Sequence, residues 1–199
     1  MLLPSLVLAA LALAGPPPTQ APAAAAKASI HAPFTALLRE NVRNDLVDYD
    51  AFAKSQEFQQ YLGNLDAARL EPMSKDERLA FWLNAYNAYT IQLINQHKER
   101  ESIRNVNMFL GVLKGKRHGK VEIVRAAGRF LNLDDVLNKV IRAEFKEPRI
   151  HMALVDAAVS SPPLRAEAYE GSRLDQQLDD QTRTFLRERQ TANRLDLGN

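Results

Sequence analysis

The apolar positions of this chain gather most densely between Ser74 and Ile94. Trp82, Tyr86, Tyr89 and Leu93 recur at helical spacing, and Leu83, Thr90 and Ile94 widen the same face. Phe81, Ala85 and Ala88 cover the remaining side, and a helix apolar almost all round belongs in the middle of a domain. Ser74 and Glu77 form the pattern of a capping box at its start, and Asp76 adds negative charge where the helix dipole favours it.

Weaker patterns flank this rod. A helical pattern begins near Phe34 and runs through Leu37, Leu38 and Val42. Phe52, Phe58, Tyr61, Leu62 and Leu65 predict one amphipathic helix or two short ones, and Glu71-Pro72-Met73 breaks the chain before the central helix. Val121-Glu122-Ile123-Val124 and Arg129-Phe130-Leu131 around Ala126-Ala127-Gly128 predict a β-hairpin. Asn132 or Asp134 can cap a following helix with Val136, Leu137, Val140 and Ile141 on its apolar face. The run from Arg149 to Val155 suits a buried strand or part of a helix, which periodicity alone does not decide; strand is the favoured reading, followed by an ordered turn at Ser160-Ser161-Pro162-Pro163. A last helix from Arg173 to about Arg189 should face Leu174, Leu178, Phe185 and Leu186 inward. The expected fold is α+β and mostly helical, with a buried central helix and a small antiparallel sheet.

Two carboxamides interrupt the central rod, Asn84 and Asn87, neighbours at a three-residue spacing. A buried amide without partners costs on the order of 1–3 kcal/mol, so each must be hydrogen-bonded. Two readings stand open: the amides clamp a loop backbone onto the helix, or they orient a catalytic group or a ligand.

The ends of the chain differ in character from its middle. Leu2 to Ala14 is a short apolar run ending in small residues, the pattern of a secretory signal peptide over 1–14. It is too short to span a membrane. Residues 15–32 read as a Pro/Ala-rich disordered tether, and 33–199 as a single domain. The mature protein is expected to be soluble and secreted or periplasmic, with no membrane span.

Composition narrows the chemistry. The formal net charge of +2 is too small to imply a nucleic-acid partner, and the basic loop Lys114 to Lys120 has no aromatic residue interleaved with its charges. There is no cysteine, which excludes disulfides, thiol catalysis and thiolate metal sites. No metal-ligand spacing, phosphate-binding glycine loop or GxSxG elbow occurs, so neither metal nor cofactor is expected. Of His31, His97, His118 and His151, only His151 lies in an apolar segment expected to be ordered and partly buried. The candidate constellation is therefore His151 with Ser160 or Ser161, Asn84 or Asn87, and Asp156 as an orienting carboxylate.

Several runs together resemble one family: Leu79 to Ala88, Ser102-Ile103-Arg104, Asn132 to Asp135, Pro148 to Val155, Ser160 to Arg165, and Leu174 to Asp179. The sequence is similar to the domain of unknown function 547 over roughly Phe34 to Leu186. That family brings no settled activity, and its general look is similar to papain-like or transglutaminase-like thiol enzymes only at the level of fold. The resemblance keeps His151, Arg149, Asn84 and Asn87. It implies cysteine where this chain has Asp156 and Ser161, often histidine at Asn138, and a further segment beyond Asn199. A divergent, C-terminally shortened member is what this implies. Two functions follow as expectations. In one, an exported non-catalytic protein binds a small molecule, peptide, glycan or envelope partner in a cleft, with Trp82, Tyr86, Arg149 and Asp156 as ligand contacts. In the other, a hydrolase or acyltransferase uses Ser161 as nucleophile and His151 as base, with Asn84 and Asn87 orienting the base or forming the oxyanion pocket.

Overall fold

A computed structural model describes residues 29–98, 121–155 and 161–188. The leader, most of the tether, the basic loop, Asp156 and Ser160 lie outside the described residues.

The architecture is built round α4, Lys75–His97. Its start is fixed as the sequence demands: Ser74 Oγ accepts from the Glu77 N–H, and the Glu77 carboxylate accepts from the Ser74 N–H at 2.7 Å. Every residue from Leu79 to Ile91 is buried, so the rod is enclosed on all sides. Lys98 ends it in the left-handed conformation at φ 51°.

Before it come α1 (Ala32–Asn41), a two-residue-per-strand hairpin of β1 (Val42–Arg43) and β2 (Leu46–Val47), α2 (Tyr49–Lys54) and α3 (Gln56–Ala67). The Phe34 ring stacks on Tyr61 at 4.7 Å between centroids, joining α1 to α3, and the edge of Phe52 meets Phe58. The small β1–β2 hairpin has no apolar alternation to announce it. Its turn is made by Asn44 and Asp45, both at positive φ, which short polar side chains tolerate.

The expected hairpin forms from β3 (Glu122–Ala126) and β4 (Arg129–Asn132), antiparallel, with Val124 opposite Leu131 and Ala126 opposite Arg129. Ala127 and Gly128 make its turn at positive φ. The N–H groups of that turn donate to the Leu65 and Asp66 carbonyls, both at 2.8 Å, and so satisfy orphan carbonyls at the end of α3. Asn132 caps the helical run α5, residues 133–144, by accepting from the Asp135 N–H. The middle of α5, Val136–Ile141, is π-helical.

The run after Pro148 is not a strand. Ile150–Ala153 is a single helical turn, α6, which turns Ile150 and Ala153 inward. A run this short, with five apolar residues among seven, suits either state, and here the short helix wins because it buries those two while leaving His151 outside. The last helix, α7, runs Leu174–Glu188. Leu174 and Leu178 face inward, but Leu186 is exposed. The inward face is completed instead by Gln177 and Gln181, whose side chains bond the backbone of the extended segment 161–170. Among the described residues no helix is long and apolar enough to cross a membrane.

Candidate functional site

The two carboxamides of α4 are both backbone clamps. Asn84 donates from Nδ2 to the Tyr169 carbonyl at 2.8 Å and accepts at Oδ1 from the Tyr169 N–H at 2.9 Å. Asn87 donates to the Ala153 carbonyl at 2.9 Å and accepts from the Val155 N–H at 3.0 Å. Each side chain thus stands in for a neighbouring strand, satisfying backbone groups that no sheet reaches. Asn87 does meet the histidine-bearing segment, but through its backbone.

The other sequence candidates separate. Contrary to expectation, His151 is exposed, because the turn of α6 rotates it away from Ile150 and Ala153. Ser161 is buried. Trp82 is 1% exposed, edge-on to Phe81 and beneath the Arg129 guanidinium at 5.4 Å, and Tyr86 is buried beside it in the core. Arg149 ties α6 to α7: it bonds Glu147 through Nε at 2.8 Å and Nη2 at 2.7 Å, and also Asp175 and Asp179. The hydrogen bond from Arg149 holds the Glu147 carboxyl below its ordinary range.

A cleft lies elsewhere among the described residues, about 930 Å³ in volume, beside the first turns of α4. Ser29, His31, Arg69, Glu77, Glu170 and Ser172 give it polar groups. Ile30, Pro33, Ala67, Pro72, Met73 and Ala80 give it apolar walls, and among the described residues no Phe, Tyr or Trp lines it. A smaller, more open cleft of about 470 Å³ lies between the β1–β2 turn and residues 163–167. There Arg165 and Glu167 pair with each other at 2.9 Å. Burial opposes the charge of Glu167, but hydrogen bonds from Arg165, Gln177 and Arg173 bring its pKa down to about 2.

His31 lines the larger cleft and is not among the residues the sequence singles out. Composition places it in the tether, whereas Ser29 to His31 pack onto the fold. The available signal was Pro33: proline in the first turn marks a helix start, which makes His31 the N-cap and therefore an ordered residue. Its Nδ1 lies 2.8 Å from the Tyr61 hydroxyl, and its backbone N–H donates to Ser29 Oγ at 3.1 Å. Ser29 Oγ in turn donates to the Glu170 carboxylate at 2.7 Å, closing the segment over the cleft. Burial lowers the His31 pKa to about 4, so the ring is neutral at pH 7. Burial, then the Glu170 and Tyr89 oxygens, push the Tyr61 phenol well above its ordinary value. Among the described residues, no group of three or more His, Asp or Glu side chains is arranged to hold a metal ion.

Comparison with known proteins agrees with the motifs. The family described as "Protein of unknown function, DUF547" matches residues 70–186, from just before α4 into α7. No curated protein and no solved structure matches the chain. With more than half of its length matched in this order of elements, the chain belongs to the DUF547 family of proteins of unknown function.

Proposed function

We propose that this is an exported, non-catalytic binding protein that holds a peptide segment in the cleft beside the start of α4. The proposal rests on the cleft's lining. Short apolar side chains surround a neutral imidazole and a carboxylate, one group to pair with a peptide carbonyl and one with a peptide N–H. A sugar ring is better held on an aromatic face, whose negative quadrupole attracts its C–H groups, and the described residues of this lining offer none. The leader read in the sequence supports export. The alternative, with Ser161 as nucleophile, draws little support from the two amides meant to serve it, since both are engaged by backbone.

Purified protein titrated with an array of short peptides and a panel of oligosaccharides tests this. Saturable peptide binding is expected, with NMR shift changes at Arg69, Met73 and Ser172. Saturable oligosaccharide binding without peptide binding would overturn the ligand class. Turnover of any ester or amide that disappears in Ser161→Ala would overturn the non-catalytic role.

A further inference from the structure

Resting on that reading, we propose that Tyr61 fixes the His31 ring with its proton on Nε2, as a hydrogen-bond donor to the cleft. The bound peptide must then bring an acceptor, a backbone carbonyl, to this point. The assignment follows from counting protons. Tyr61 Oη lies in the core, 0% exposed, and His31 Nδ1 at 2.8 Å is its hydrogen-bond partner among the described residues. If Nδ1 carried the proton and donated, the phenol's own O–H would have no acceptor within hydrogen-bond distance among the described residues. Buried donors are rarely left in that state. The phenol therefore donates, Nδ1 accepts, and a neutral imidazole must carry its proton on Nε2. With Nδ1 turned to the core, Nε2 points the other way, and His31 borders the cleft. The Phe81 ring, 6.1 Å away, backs the imidazole and favours its neutral form.

Glu170 complements this donor. One of its carboxylate oxygens takes the Ser29 hydroxyl at 2.7 Å, which fixes the group at the cleft wall as an acceptor. Donor and acceptor together match the C=O and N–H of a peptide unit. Tyr61 touches no ligand in this scheme; it is a positioning residue that acts through His31.

Long-range nitrogen–proton correlation spectra of the wild-type protein, labelled on histidine, test the tautomer near pH 7. A bare Nδ1 and a protonated Nε2 are expected for His31; a protonated Nδ1 would overturn the proposal. Tyr61→Phe keeps the stacked ring and loses the hydroxyl, and should turn His31 into a mixture of tautomers. Titration with N-acetyl-alanine N-methylamide, a single peptide unit, should move the His31 Nε2–H resonance. Tyr61→Phe should weaken that response in proportion to the Nε2–H population lost, about twofold for an even mixture. Shifts at Met73 and Ser172 with the His31 resonance unmoved would overturn the proposal and leave the peptide-binding reading standing. No shift anywhere in the cleft would overturn that reading together with the ligand half of the proposal.

Discussion

Gly171 rests directly on the backbone of Glu77: a Cβ there would lie 2.5 Å from the Glu77 Cγ, 2.7 Å from its nitrogen and 2.8 Å from its Cα. Two of those neighbours are main-chain atoms in the capped first turn of α4, which cannot yield as a flexible side chain would. The glycine is required by this close approach, and it sets how near Glu170 and Ser172 come to the central helix. Gly171→Ala should therefore lift the 170–172 segment, at about 1–3 kcal/mol of strain. A thermal melt several degrees below wild type, with loss of the Ser29–Glu170 hydrogen bond, is the expected result. An unchanged melt would contradict the close approach.

The Asn87 clamp makes a sharper prediction than burial alone. Asn87→Leu leaves the Ala153 carbonyl and the Val155 N–H without partners, so a loss of about 2–6 kcal/mol is expected, the sum for two orphaned groups. Asn87→Asp keeps an acceptor for Val155 but turns a buried carboxylate oxygen toward the Ala153 carbonyl, so near pH 7 it should lose at least as much as the leucine variant. Urea denaturation measures both. Amide hydrogen exchange at Val155 separates a clamp from general loosening, since it should accelerate more than exchange in the β3–β4 hairpin.

His31 links stability to acid. Its pKa falls from 6.5 in the unfolded chain to about 4 in the fold, so the folded state resists a proton that the unfolded state accepts. The stabilisation from keeping the ring neutral is complete above pH 6.5 and drains away as pH falls toward 4, amounting to roughly 3 kcal/mol at most. Tyr61 and Glu170 are the titratable groups beside it, with Glu77 and Arg69 further along the cleft. Between about pH 6.5 and pH 5 carboxylates change little, so the histidine dominates the slope. Denaturation of wild type and His31→Gln across that window should give a falling stability for the first and a flatter one for the second. Parallel curves would show that His31 is not buried neutral.

What the sequence made legible was local. The capping box, the enclosed rod of α4, the Asn132 cap and the β3–β4 hairpin are each decided by residues a few positions apart, and each formed as read. Errors arose where a residue's partner is distant. Apolar periodicity points Leu186 inward and ignores Gln177 and Gln181, yet these amides turn inward because the extended segment 161–170 needs backbone partners there. His31 is illegible for the same reason. Its order depends on Tyr61, thirty positions away, and on Glu170 through Ser29. The segment carrying His151 was too short for periodicity to distinguish one helical turn from a strand, and that choice decides which way the imidazole points.

Arg149 provides a test of how α6 is held to α7. Its planar guanidinium engages both oxygens of Glu147 and reaches Asp175 and Asp179 on the last helix, a geometry a lysine ammonium cannot copy. The Arg149 side chain is 25% exposed and that of Asp175 87%, so water and salt weaken the attraction. Arg149→Lys should thus cost only about 1 kcal/mol, the upper end for such pairs. The difference from wild type should shrink between about 50 mM and about 1 M sodium chloride, where the screening length falls to roughly 3 Å. A difference that stays constant with salt would mean that Arg149 holds the helices by packing of its stem, and Arg149→Met would then match wild type where Arg149→Ala does not.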